Sequence, residues 1–304
     1  MNTFLTLIHR EWMQHRFGWT LLVAVPLALA LLGLAFGQIQ FDSDHAGRVG
    51  GAFPTMLAMI AMTAGTVITF GILSVTSLYL VAGLARRDHG DRSVEFWLSL
   101  PTSHTASLSA PLVTHLLLVP AAALLLGLLG GWLVSAVLVT RLAGFGAWLA
   151  MPWGDLVAAG LSLVLRLMAG LPLAVMWVAP VVLAAVLASA YLKRWGLPVL
   201  FLAVVLGGVA LDHWLGSPVT SETVNAVFRN AGWALFAADP QTLSGEGPAE
   251  IYAALKEVPA WAGQDFVAAL GKLASPLFAG CLLVAAALFA LLVDWRRRGA
   301  SAAS

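Results

Sequence analysis

The sequence predicts an all-α membrane protein that crosses the bilayer several times, and three observations carry that prediction. Of its 304 residues, 60% are hydrophobic and only 10% charged, with a mean hydropathy of +0.90. A soluble domain carries about a quarter charged residues, because its surface must be wetted. The apolar residues also fall in uncharged blocks, at 17–40, 49–85, 167–192, 195–211 and 273–293, close to the ~20 residues a helix needs to cross ~30 Å of hydrocarbon. Finally, the alternation over about ten residues that marks a membrane β-barrel is absent.

Taken in order, residues 1–17 place Phe4, Leu5, Ile8 and Trp12 at helical spacing, with His9, Arg10, Glu11, Gln14 and Arg16 elsewhere. That pattern predicts an interfacial helix turning into the first span. Six spans are expected at about 18–37, 58–83, 112–139, 170–192, 197–215 and 274–294. The first apolar run is longer than the 7–15 residues of a signal peptide, and no small-residue cleavage site follows it, so it reads as a retained span. Residues 141–169 are too apolar for a free loop, yet are broken at Pro152 and carry Asp155 and Arg166. They predict a re-entrant or interfacial helix with Arg166 near the surface, since a charge at the bilayer centre costs about 2.5–3.5 kcal/mol on insertion scales. The alternative is a longer fourth span with Arg166 facing a polar cavity. The turn "KRWG" makes the fourth and fifth spans a tight antiparallel hairpin, and residues 216–273 read as a small helical cap on the opposite face.

Lys and Arg set the orientation. With six spans the two termini share a side, and that side holds Arg10, Arg16, Arg86, Arg87, Arg92, Lys193, Arg194, Arg296, Arg297 and Arg298. Ten basic residues there stand against five acidic ones, and six against ten on the other side. The basic side, with both termini, is read as cytoplasmic.

The densest charge on that side is "RRDHGDRSVEFWLSLPTS", residues 86–103. Asp91 or Ser93 can cap a helix that Pro101 stops. Phe96, Trp97 and Leu100 then form an apolar patch beside Arg92 and Glu95, suited either to a membrane surface or to a groove on another protein. The stretch from Asp91 to Ser103 resembles the cytoplasmic segment of type-2 exporter permeases of the ATP-binding-cassette class, at Asp91, Arg92, Ser93, Phe96, Trp97, Ser99, Leu100, Pro101 and Ser103. "HREWMQHR" near the N-terminus is similar to the Arg-Glu-aromatic run that opens such permeases. The resemblance implies a coupling helix that docks into a cleft on a separate ATPase subunit, present in two copies. In it Phe96 and Trp97 are apolar anchors, Arg92 and Glu95 set the polar register, and Pro101 ends the helix. It also implies a second permease, identical or paralogous, and residence in a bacterial inner membrane.

The chain lacks the G-x-x-x-x-G-K-[ST] loop that cradles phosphate, so ATP and Mg are expected on the partner and no cofactor on this chain. No nucleic-acid partner and no catalytic set are expected. Cys281 lies alone in an apolar run, which excludes an intramolecular disulfide. His115 and Arg166 are candidate residues of a substrate path, and for a lone His inside a span the competing reading is a packed structural residue. No His-x-x-x-His or Glu-x-x-His spacing marks a metal site. Ser74, Thr76 and Ser77, with Gly127, Gly130 and Gly131, are expected to let helices approach closely. The expected function is an exporter subunit for a hydrophobic or amphipathic compound. Its rivals are a membrane sensor or anchor without transport and an intramembrane lipid-modifying enzyme.

Overall fold

The computed structural model describes residues 3–38, 50–84, 103–237 and 247–301. Among them there is no strand. Five helical stretches have the length and composition to cross a membrane: Thr3–Phe36, Gly50–Ala82, His104–Ala143, Trp153–Leu215 and Pro276–Arg298. Their apolar side chains remain largely uncovered by protein, as with Leu29, Val67, Leu129, Phe201 and Leu283, which is the surface that lipid tails cover.

Helix α1, Thr3–Phe36, is one unbroken helix of 34 residues. The N-terminal segment therefore continues straight into the first apolar run, where the sequence pattern predicts a turn between residues 17 and 18. No proline stands at that junction to break it; the one internal proline is Pro26. Helix α2, Phe53–Ala82, starts with Pro54 in its first turn, where a missing N–H costs nothing.

Helix α3, His104–Val113, is capped by the Ser103 side chain, which accepts from the Ala106 N–H at 3.2 Å. A π-helical turn, Thr114–Leu118, joins it to helix α4, Val119–Ala143. The Val119 N–H donates to the Thr114 carbonyl, five residues back. Pro120 follows, and its absent N–H and bulky ring cannot serve the ordinary i−4 carbonyl, so the turn opens there. Helices α2 and α4 meet along the small-residue seam Ala123, Gly127, Gly131 and Ser135, all buried and four residues apart. A methyl group added at Gly131 would sit 2.6 Å from the Met62 Cα, and one at Gly127 2.6 Å from the Thr66 Cα. The backbones touch because those side chains are absent. Gly130, one residue round, faces only Leu27 of α1.

Helix α5, Phe145–Leu149, is a single short piece. It leads to helix α6, Trp153–Leu192, of 40 residues, about 60 Å long at 1.5 Å per residue. The break expected across 141–169 is thus confined to residues 144–152, where Trp153 sets its ring edge to face against Trp148 and Trp132 and its indole donates to the Trp148 carbonyl at 2.9 Å. From Trp153 onward the chain is one continuous helix to Leu192, and Arg166 within it has a buried partner.

At Lys193, with φ 52, the chain folds back into helix α7, Gly196–Leu215. The two pack so closely that a methyl at Gly196 would meet the Ser189 nitrogen at 2.5 Å. The fourth stretch therefore contains the hairpin expected from "KRWG". Helices α8, Val219–Leu235, and α9, Pro248–Gly271, form the cap. Helix α9 continues unbroken through Pro259. Helix α10, Pro276–Ser301, closes the bundle.

The core is layered along the bundle. At the cap end, Leu57, Ala58, Val139, Leu156 and Ala159 pack with Leu255 and Val258 of α9. In the next layer Trp177 and Ala174 meet Val227 and Ala231 of α8 and Phe278 of α10. At the other end Val81, Leu108, Val186 and Leu292 form one cluster, and Arg296 donates to the Ser107 hydroxyl at 2.9 Å. The end of α2, the start of α3, the end of α6 and the end of α10 are thereby gathered at one end, which also carries Lys193, Arg194 and Arg296–298.

Candidate functional site

Two buried polar sites interrupt this apolar bundle, and each joins residues about a hundred positions apart. The first lies where α1 crosses the π-helical turn. Glu11 and His15 are four residues apart on α1 and so share a face. His115, the second residue of the π turn, points at them from the neighbouring helix. Glu11 is fully buried and His115 is 1% exposed. The His115 Nε2 lies 3.4 Å from Glu11 Oε2, and the His15 Nε2 lies 4.0 Å from the same oxygen. Arg10 donates to the other carboxylate oxygen, Oε1, at 2.8 Å. Trp19, one turn further along α1, sets its ring edge-on to His115 at 5.6 Å and tilted to His15 at 5.5 Å. The two imidazoles meet edge to face at 5.4 Å. The Nδ1 of His115 and the indole N–H of Trp19 are buried without a hydrogen-bond partner among the described residues.

His115 is 12 residues from Ser103, about 18 Å along its helix, so the site lies well inside the bundle. Ionisable groups within membrane-spanning helices are costly and tend to face one another or a function. His115, expected to stand alone, has Glu11, His15 and Trp19 around it. The sequence signal for part of this was the i, i+4 spacing of Glu11 and His15; nothing in it pointed across to His115.

The second site lies under the cap. Arg166, 27 residues along α6 from Lys193 and thus about 40 Å from that turn, is 3% exposed, and Asp265 of α9 is 1% exposed. The Arg166 Nε donates to Asp265 Oδ2 at 2.7 Å, its NH1 to the Ala234 carbonyl at 2.9 Å, and its NH2 to the Asp265 carbonyl at 3.5 Å. Asp265 Oδ1 accepts from the Ala237 N–H at 2.8 Å, and the guanidinium carbon lies 5.4 Å from the centre of the Phe266 ring. One arginine thus ties α6 to the end of α8 and the middle of α9. The sequence left Arg166 either near the membrane surface or inside a longer fourth span facing a polar cavity; within the protein it is buried, paired with Asp265.

A smaller contact joins the hairpin to the cap. Both carboxylate oxygens of Asp212 accept from the first turn of α8, from the Thr220 N–H at 2.6 Å and the Ser221 N–H at 3.2 Å. These are two of the N–H groups that a helix start leaves unpaired. At the far end of α1, Arg141 donates to the carbonyls of Leu34 and Gly37.

Between α3, the π turn, α6 and α10 runs an open apolar groove of about 320 Å³, lined by Leu112, Leu116, Val175, Ala179 and Phe289 among others. The coupling-segment residues singled out in the sequence, Asp91, Arg92, Ser93, Glu95, Phe96, Trp97, Leu100 and Pro101, lie outside the described residues; Ser103, which ends that run, is the cap of α3. No protein-family model, no curated protein and no solved structure matches this chain.

Proposed function

We propose that this chain is the membrane-spanning subunit of an ATP-driven exporter of the ATP-binding-cassette type-2 class. In this reading it sits in a bacterial inner membrane with both termini cytoplasmic and pairs with a second permease. The hydrophobic spans α1, α2, α3–α4, α6, α7 and α10 make six crossings. Two copies of a separate subunit bind ATP and Mg and supply the work.

The observation that carries the reading is the run Asp91–Arg92–Ser93 … Phe96–Trp97 … Ser99–Leu100–Pro101 … Ser103. It belongs to the link between α2 and α3, whose ends meet at the basic end of the bundle. Docked in a cleft of the ATPase, Phe96 and Trp97 are of the kind of buried anchor that dominates protein contacts, and Arg92 and Glu95 fix the register. Closure of the two ATPase subunits then pushes on the basic end, where four spans are gathered. The apolar groove beside the π turn favours a hydrophobic or amphipathic cargo. Arg166 is left out of the path because its donors are engaged by Asp265 and Ala234; His115 stays in it.

Affinity purification of the chain in mild detergent tests the class, with an ATPase subunit expected to come with it. Phe96→Ala with Trp97→Ala is expected to abolish the chain's stimulation of that ATPase while the protein still reaches the membrane. A double variant that couples and transports like the parent overturns the docking role.

A further inference from the structure

We infer that Glu11, His15 and His115 form a site for one divalent transition-metal ion, with zinc as the matching chemistry. The donor set is two imidazoles and one carboxylate. Imidazole nitrogen suits zinc and its neighbours, whereas magnesium and calcium take oxygen shells. Three protein ligands with a fourth position open to water is the arrangement of non-structural zinc sites.

The geometry is close to what an ion requires. One ligand atom from each of the three side chains lies within 4.8 Å of the others. Zinc bonds of about 2.0–2.2 Å set neighbouring ligands of a tetrahedron roughly 3.4 Å apart. Glu11 Oε2 and His115 Nε2 are already 3.4 Å apart, and His15 Nε2 stands 4.0 Å from the same oxygen. The His15 side chain is 22% exposed, so it has room to close the remaining gap. Arg10 bonds Oε1, and Oε2 is the oxygen that faces both imidazoles.

One further feature points to a ligand at this position. His115 is carried on a π-helical turn, an irregularity found mostly at functional positions. Bound here, the ion links α1 to the α3–α4 helix, with Trp19 walling the site on one side.

The test uses the full chain in detergent, purified without a polyhistidine tag, stripped with chelator, and dialysed against Zn²⁺ with elemental analysis. One zinc per chain is expected. Losing an outer-shell partner alone weakens metal sites by about 10–100-fold, so His115→Ala and Glu11→Gln should each weaken binding by at least about 100-fold. His9→Ala, removing an exposed imidazole on α1, should leave it unchanged. X-ray absorption of the zinc-loaded parent protein, which needs no variant to fold, should show two imidazoles and oxygen in the first shell. Absence of stoichiometric zinc, binding that survives His115→Ala, binding lost in His9→Ala, or a shell without imidazole each overturns the site. None of these readouts involves an ATPase partner or transport, so the exporter reading stands or falls by its own test.

Discussion

The arginine site under the cap and the histidine site beside the π turn are both buried charges joining distant parts of one chain, yet they differ in saturation. Arg166 uses Nε, NH1 and NH2 on Asp265 and Ala234, and Asp265 in turn accepts from Ala237. The histidine site has the Arg10–Glu11 pair at 2.8 Å, a 3.4 Å contact between Glu11 and His115, a 4.0 Å approach by His15, and two buried nitrogens, His115 Nδ1 and Trp19 Nε1, with no partner among the described residues. A saturated network in low dielectric holds one geometry, because every alternative leaves a charge unpaired. The first site ties α8 and α9 to α6; the second is the one proposed above to hold a metal ion.

Breaking the arginine site should therefore cost the most. Asp265→Ala leaves a buried guanidinium without its carboxylate, a change worth about 3–5 kcal/mol. Thermal unfolding in detergent should show a large drop in Tm, and cap residues should become open to proteolysis. The paired replacement Arg166→Met with Asp265→Leu should recover most of that loss, since an apolar pair of similar volume removes both charges. An Asp265→Ala protein as stable as the parent would erase the contrast between the sites.

Next in size is Gly131→Ala, midway along the seam of α2 and α4. Its methyl meets the Met62 backbone at 2.6 Å, and overpacking of this kind costs about 1–3 kcal/mol. Gly130→Ala, facing the Leu27 side chain at 3.5 Å, is the control and should be near neutral. A comparable loss in both would mean the seam is not what holds α2 against α4. Asp212→Ala removes the carboxylate that caps α8, and caps contribute about 0.5–2 kcal/mol. Faster amide exchange confined to residues 219–223 is the expected signature. The smallest effect is expected at the histidine site itself. His115→Phe keeps an aromatic ring and removes both nitrogens. The 3.4 Å approach to Glu11 is long for a hydrogen bond, so stability should change by about 1 kcal/mol or less. A loss matching Asp265→Ala would show that site to be structural too.

Much of the scaffold was legible in the sequence. Uncharged apolar blocks revealed the long helices, "KRWG" the hairpin, and the glycines the close approach, with Gly127 and Gly131 in the seam and Gly130 outside it. What local reading missed is pairing at long range. Pro152 marked the real break at residues 144–152, but Arg166 gave no sign of its partner, which is 99 residues away. His115 looked solitary for the same reason, its neighbours being 104 and 100 positions earlier in the chain. Helix continuity at residues 17–18 was hidden by the change from amphipathic to uniformly apolar composition, which alters a helix's surroundings without altering its backbone.

Helix α6 carries Pro172 and Pro180 between the basic turn and Arg166, and no proline from Trp153 to Leu171. Any flexing of this longest rod therefore falls at those two prolines. The arm beyond them is tied to α8 and α9 by Arg166 and packs with α2 and α4 through Leu156 and Ala159, so a bend there would carry those helices with it. With about 28 Å from Pro172 to Trp153, a change of about 10° in the bend displaces the tip by about 5 Å.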